Sequence, residues 1–129
     1  GVGWDGVEID TKNHVLRIKH TEYTTLLWLV AKGLKNLTVY NRGNTTYLKP
    51  MKVLRSAFFD EFGLLKVRTL PIVLSQVSYI LRRLRQEGLV EKVDNYYYAL
   101  SRKSVLWDIA VKSTPEEIMN FLWELTMEG

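Results

Sequence analysis

Ser75-Gln76-Val77-Ser78-Tyr79-Ile80-Leu81-Arg82-Arg83-Leu84-Arg85-Gln86-Glu87-Gly88-Leu89-Val90 decides how the rest of this chain is read. Val77, Ile80, Leu81 and Leu84 recur at helical spacing and make one apolar stripe. Ser75, Ser78, Tyr79, Arg82 and Gln86 fall on the opposite side, flanked by Gln76, Arg83 and Arg85. Gly88 ends the helix, as a residue free to take positive φ does. Leu89-Val90 begins an extended run, and Asp94-Asn95 offers a two-residue turn into Tyr96-Tyr97-Tyr98-Ala99-Leu100. The spacing predicts a polar-faced, arginine-rich helix that runs straight into a hairpin.

Charge is concentrated in the part of the chain that carries this unit. The net charge of +4 divides into a surplus of +11 over residues 11–107, with 17 Lys/Arg against 6 Asp/Glu, and acidic ends of −3 and −4. A basic body with acidic ends is the electrostatic pattern expected of a nucleic-acid-binding chain. The 129 residues suffice for one domain with its own core, and 47% hydrophobic with 25% charged residues is a globular composition. No apolar run approaches a membrane span and no signal peptide is visible, so a cytoplasmic location without a membrane partner is expected. The absence of cysteine removes disulfides and thiolate metal sites and agrees with that location.

Outward from the central stretch, Val7–Asp10 and Val15–Lys19 read as a β-hairpin across Thr11-Lys12-Asn13. Thr21-Glu22-Tyr23 opens a helix to about Lys32, stopped by Gly33, with Leu26, Leu27 and Val30 inward. Leu37–Tyr40 and Thr45–Lys49 flank Asn41-Arg42-Gly43-Asn44 and predict a central hairpin. A helix from about Met51 to Phe62 follows, closed by Gly63, and Leu64–Leu70 reads equally as strand or loop. Pro71 opens the long helix. Leu70, Leu74, Val77, Leu81 and Leu84 form a 4-3-4-3 series, which leaves open a single continuous helix over residues 71–87. Ser101 caps a helix to Lys112, and Thr114-Pro115-Glu116-Glu117 is a capping box. Ile118, Phe121, Leu122 and Leu125 make the last apolar face, with Trp123 and Met127 as apolar surface beyond it.

The stretch Ser75, Val77-Ser78, Leu81, Leu84, Gly88-Leu89-Val90 and Tyr98-Ala99-Leu100 resembles the recognition helix and wing of winged helix-turn-helix DNA-binding domains. The first hairpin followed by Thr21-Glu22-Tyr23 and Leu26-Leu27 is similar to the start of OmpR-type effector domains. The resemblance implies an α+β, winged-helix-like domain with an N-terminal β-hairpin, an extra central β-hairpin and two C-terminal helices. It also implies DNA binding in transcriptional regulation. The chain departs from the pattern in one respect: a helix-turn-helix joins its helices by about 3–4 residues, whereas Phe62 and Ser75 lie further apart.

Other chemistry is poorly supported. Gly1-Val2-Gly3-Trp4-Asp5-Gly6 matches a dinucleotide fingerprint in letters only, because it precedes a strand instead of following one. His14 and His20 flank one strand without cysteines or clustered carboxylates, so no metal site is expected. Asp60-Glu61 and Glu116-Glu117 are adjacent on helices and do not face each other as an acid–base pair. The chain therefore reads as non-enzymatic, without cofactor or small-molecule ligand. Arg82, Arg83 and Arg85 suit phosphate or guanine contacts, against the plainer reading of a solvated helix face paired with Glu87 and Glu91. Gln76, Ser78 and Tyr79 lie near the helix start, where base readers sit.

These readings converge on one domain over residues 1–129, with a body at 4–112 and a packing or dimerisation helix at 113–129. The expected function is duplex-DNA binding by a homodimer. Gln76, Ser78, Tyr79, Arg82, Arg83 and Arg85 read the groove, while Lys92, Tyr97, Arg102 and Lys103 add wing and phosphate contacts. Tyr97 is expected opposite Lys92 across the Asp94-Asn95 turn. The alternative is a single-stranded DNA-binding protein without sequence preference, stacking bases on Tyr40 and Tyr47 among Arg42 and Lys49. A third reading is a protein–protein module with Trp123 and Met127 in its interface.

Overall fold

Alternating apolar residues build the first sheet. β1 (Val2–Trp4), β2 (Val7–Asp10) and β3 (Val15–Ile18) form an antiparallel meander, in which Val7, Ile9, Leu16 and Ile18 point into the core. The computed structural model describes residues 2–127, so Gly1 and the last two residues of the 113–129 segment lie outside the described residues. The expected N-terminal hairpin is β2–β3. Asp10 fastens its turn by accepting hydrogen bonds from the Asn13 side chain (2.9 Å) and backbone N–H (3.0 Å). Those bonds favour the carboxylate, and with the nearby Arg17 guanidinium they hold Asp10 at a pKa of about 2.

α1 (Tyr23–Val39) is the central column, packed against three other helices. Leu26, Leu27, Leu29, Val30, Ala31 and Leu34 are all fully buried, which places apolar contacts nearly all round the helix. Two expectations fail here. Gly33 does not stop the helix; it lies in its interior, where a Cβ would sit 2.1 Å from the Val53 carbonyl oxygen. Glycine is there for a close helix approach and not for a turn. Leu37–Val39 is consequently helical, and the central hairpin does not form. β4 (Thr45–Leu48) pairs instead with a strand more than fifty residues onward.

α2 (Pro50–Ser56) starts on its proline, and α3 (Phe59–Phe62) follows after a break at Ala57-Phe58. The expected single helix from Met51 to Phe62 is interrupted because another residue satisfies the freed carbonyls. The buried Asn36 amide of α1 donates to Ser56 O (2.8 Å) and Ala57 O (3.3 Å), and to Asp60 Oδ1 (3.1 Å). Lys32, also buried, pairs with Glu61 and lies 4.6 Å from the Phe58 ring centroid and 5.0 Å from that of Trp28. Gly63 then takes φ +75° and closes α3.

The ambiguous Leu64–Leu70 segment contains β5 (Lys66–Thr69), which joins β3 in parallel and completes a four-stranded sheet of order β1-β2-β3-β5. This strand occupies the long connection noted in the sequence. α4 (Pro71–Gln86) buries Val73, Val77, Ile80, Leu81 and Leu84. Leu70 lies outside the helix and is exposed, and Leu74 is only half-buried, so the 4-3-4-3 series is not one core seam.

Gly88, at φ +73°, turns the chain into β6 (Glu91–Lys92) and β7 (Tyr98–Ser101). The second sheet has the order β4-β7-β6. The expected two-residue turn is wrong by one residue: Lys92 pairs with Tyr98, and Glu91 with Ala99. Asp94 Oδ1 accepts from the backbone N–H of both Tyr96 and Tyr97, so the side chain closes a longer loop. α5 (Val105–Lys112) is capped by Ser104 and not by Ser101; the Ser104 hydroxyl accepts from Leu106 N–H and donates to Leu89 O. α6 (Pro115–Met127) has the expected capping box, with Glu117 N–H on the Thr114 hydroxyl and Thr114 N–H on the Glu117 carboxylate. Those bonds hold the Glu117 pKa below the ordinary carboxylate value. Ile118 and Leu122 are fully buried, Phe121 and Leu125 partly so, and the fold is α+β.

Candidate nucleic-acid interface

α4 presents two flanks with different surroundings. Gln76, Tyr79 and Arg83 share one flank by their spacing, and Tyr79 and Arg83 reach α6 directly. The Tyr79 hydroxyl reaches Thr126 O at 3.4 Å, and Arg83 donates to Leu125 O at 2.8 Å. Arg83 also meets Gln86 Oε1 at 2.7 Å and Glu87 at 3.3 Å, and its side chain is 16% exposed. Behind Tyr79, the Tyr23 hydroxyl donates to Thr126 Oγ1 at 2.6 Å, and burial raises the Tyr23 pKa. Tyr79 and Arg83 therefore tie α4 to α6, which occupies part of the face assigned to groove reading.

Ser75, Ser78, Arg82 and Arg85 follow one another at 3-4-3 spacing along the other flank, a stripe about 15 Å long at 1.5 Å per residue. Arg82 and Arg85 are exposed, and neither has a side-chain hydrogen bond or an ion pair among the described residues. A guanidinium held on a rigid helix without an internal partner is available for phosphate or a base edge.

The second sheet turns a different set outward. Lys49 Nζ lies 5.2 Å from the Tyr97 ring centroid, beside the exposed Tyr47, whose register partner is Ala99. Tyr97 thus accompanies Lys49 and not Lys92; the exposed Lys92 lies 5.8 Å from the ring of the buried Tyr98. Tyr96, 73% exposed, stands at the loop tip. Lys103 is exposed just beyond β7. Arg102 is not a free phosphate contact: it donates to Gly43 O (2.7 Å) and Asn41 O (3.2 Å) and lies 4.5 Å over the Trp107 ring. It pins the loop that leads into β4.

The alternative set is divided. Tyr47 and Lys49 belong to this sheet face, whereas Tyr40 and Arg42 follow α1 and line a cleft with Lys52, Phe59 and Leu64. The sequence reading missed Lys52, Arg55, Lys66 and Arg68. Their signal was present: Lys52 and Arg55 are three apart on α2, and Lys66 and Arg68 alternate on β5. Both histidines are exposed, and no cluster of metal-ligating side chains occurs among the described residues. No helix is long and apolar enough to cross a membrane among the described residues. Comparison with protein-family models, with curated proteins and with solved structures finds no match to this chain.

Proposed function

We propose that this chain is a duplex-DNA-binding domain of winged-helix type, acting in transcriptional regulation. The observation that carries the reading is the open flank of α4, where Ser75, Ser78, Arg82 and Arg85 share one stripe and both arginines lack internal partners among the described residues. The element order supports it. The helix α4 runs into the strand pair β6–β7, as the sequence resemblance leads one to expect of a recognition helix and wing, while β4 takes the other edge of β7 in place of the expected central hairpin. On this reading Arg82 and Arg85 contact phosphates or guanine edges, and Ser75 and Ser78 approach the groove. Lys49, Lys92 and Lys103 supply flanking phosphate contacts.

A single small domain covers one half-site, so the proposal includes a homodimer. Trp123 and Met127, 40% and 56% exposed on α6, are the apolar surface available for it. The test is binding of matched duplex and single-stranded oligonucleotides by wild type and Arg82→Ala/Arg85→Ala across a salt series. Duplex binding that weakens in the variant, with a flatter salt dependence, supports the proposal. Duplex binding that is indifferent to both arginines refutes it.

A further inference from the structure

We infer that the face formed by α2, β5 and the C-terminal end of α1 is a second binding site, a groove for an unpaired nucleic-acid strand. Two adjoining clefts build it. One, of about 470 Å³, is lined by Tyr40, Arg42, Lys52 and Phe59; the other, of about 630 Å³, by His14, Arg55, Lys66 and Arg68. Leu64 borders both, so the two clefts adjoin on one face.

Its charge is uncompensated. Arg42, Lys52, Arg55, Lys66 and Arg68 make no ion pair and no side-chain hydrogen bond among the described residues, and no carboxylate lines either cleft. The acidic residues between positions 42 and 68 are Asp60 and Glu61, and neither lines either cleft. Asp60 accepts from Asn36 and Glu61 pairs with Lys32. A concave surface lined by one sign of charge focuses the field and concentrates a polyanion.

The aromatic groups argue for an unpaired strand. Tyr40 is 57% exposed and stands edge-to-face on Phe59 at 5.0 Å, in the cleft that Arg42 and Lys52 also line. Duplex DNA is read by a convex element inserted into its groove, whereas a depression with an aromatic wall receives a base that has left the stack. Phosphates would lie along Arg55, Lys66 and Arg68, and a base on Tyr40. The site stands independently of the α4 flank.

The experiment compares wild type with Arg55→Ala/Arg68→Ala, Tyr40→Ala and Arg82→Ala/Arg85→Ala. Fluorescence anisotropy is read with labelled oligothymidylate and oligouridylate of about 15 nucleotides and a duplex of similar length, over about 50–200 mM salt. Arg55→Ala/Arg68→Ala is expected to lower the single-strand log–log salt slope by about 1.4, at 0.7 per phosphate, and to leave duplex binding unchanged. Tyr40→Ala is expected to weaken single-strand binding about fivefold or more without changing the slope. The substituted side chains are exposed, and matched thermal melts check that each variant is folded.

The inference is overturned if wild type binds no single strand at the lowest salt. It is overturned equally if the groove variant binds both single strands as wild type does, or loses duplex and single-strand affinity together. An unaffected Tyr40→Ala, with inorganic polyphosphate displacing the oligonucleotide fully, would reduce the face to a general polyanion patch and also overturn it. Single-strand loss in the groove variant, with duplex binding intact in the α4 variant, would sustain the groove and refute the duplex-reading function.

Discussion

Arg82 and Arg83 are adjacent in the chain, yet replacing them should give opposite phenotypes. Arg82, with Arg85, faces outward without an internal partner among the described residues, while Arg83 is drawn onto the last turn of α6 by its 2.8 Å hydrogen bond to Leu125 O. If each outward arginine neutralises one phosphate, Arg82→Ala/Arg85→Ala removes about 1.8 from the log–log salt slope of duplex binding, at 0.9 per phosphate. Over a fourfold rise in salt, wild-type affinity then falls about 12-fold further than the variant's. Stability should hardly change, since exposed side chains away from special features contribute little.

Arg83→Ala should do the reverse. It removes a charge-assisted hydrogen bond from a side chain only 16% exposed, a loss of about 1.5–3 kcal/mol, whereas the exposed partner Glu87 adds little. Urea unfolding and fluorescence anisotropy on the same preparations separate the effects. An Arg83→Ala protein of wild-type stability that has lost more duplex affinity than Arg82→Ala/Arg85→Ala would refute the assignment of the two flanks.

Gly33→Ala gains about 1 kcal/mol of helix propensity but places a Cβ 2.1 Å from Val53 O, and overpacking of about 1–3 kcal/mol should win, so a lowered urea midpoint is expected and a raised one would contradict the close α1–α2 approach. Ser104→Ala should cost about 1–2 kcal/mol, because it uncaps α5 and leaves Leu89 O without its donor; thermal melting reads it. Asp10 has a folded pKa lowered to about 2, so its contribution is present above its unfolded value near 4 and is lost as pH falls toward 2. Asn13→Ala should move the Asp10 titration upward in a carboxyl NMR experiment, and an unmoved titration would remove Asn13 as the main cause.

Elements whose signals are local were legible. The β2–β3 hairpin, the core stripe of α4, the stop at Gly88 and the Thr114–Glu117 box all rest on residues a few positions apart. Misreadings arose where a distant partner overrides a local signal. Gly33 and Asn41-Arg42-Gly43-Asn44 carry turn chemistry, but Val53 packs on Gly33 and β7 takes β4. The site shows the same division. The arginine stripe was readable on α4, whereas the commitment of Tyr79 and Arg83 to Leu125 and Thr126 depends on α6, more than forty residues later. Lys52 and Arg55 are joined to Lys66 and Arg68 by packing of α2 beside β5, which spacing within either element does not reveal.

The strand β5, between α3 and α4, is what makes the second basic face. Without β5, α3 could pass directly into α4, and Lys66 and Arg68 would have no place beside α2. Parallel pairing with β3 fixes that place, with Arg17 opposite Arg68. Like charges in register repel. The fold neutralises one of them: Arg17 lies 3.5 Å from Glu8 and 3.4 Å from Asp10, on the strand away from the groove. Arg68 has no such partner among the described residues. Lys32 and Glu61 repeat the pattern, since an acid near the groove is spent on a buried lysine. Carboxylates thus pair with Arg17 and Lys32, while the cations of the two clefts have no ion-pair partner among the described residues. Replacing Glu8 and Asp10 together should therefore lower stability, through Arg17 and through the Asn13 turn, while single-strand affinity is retained. The same charge change would alter binding if a diffuse field, and not the groove's own cations, held the strand.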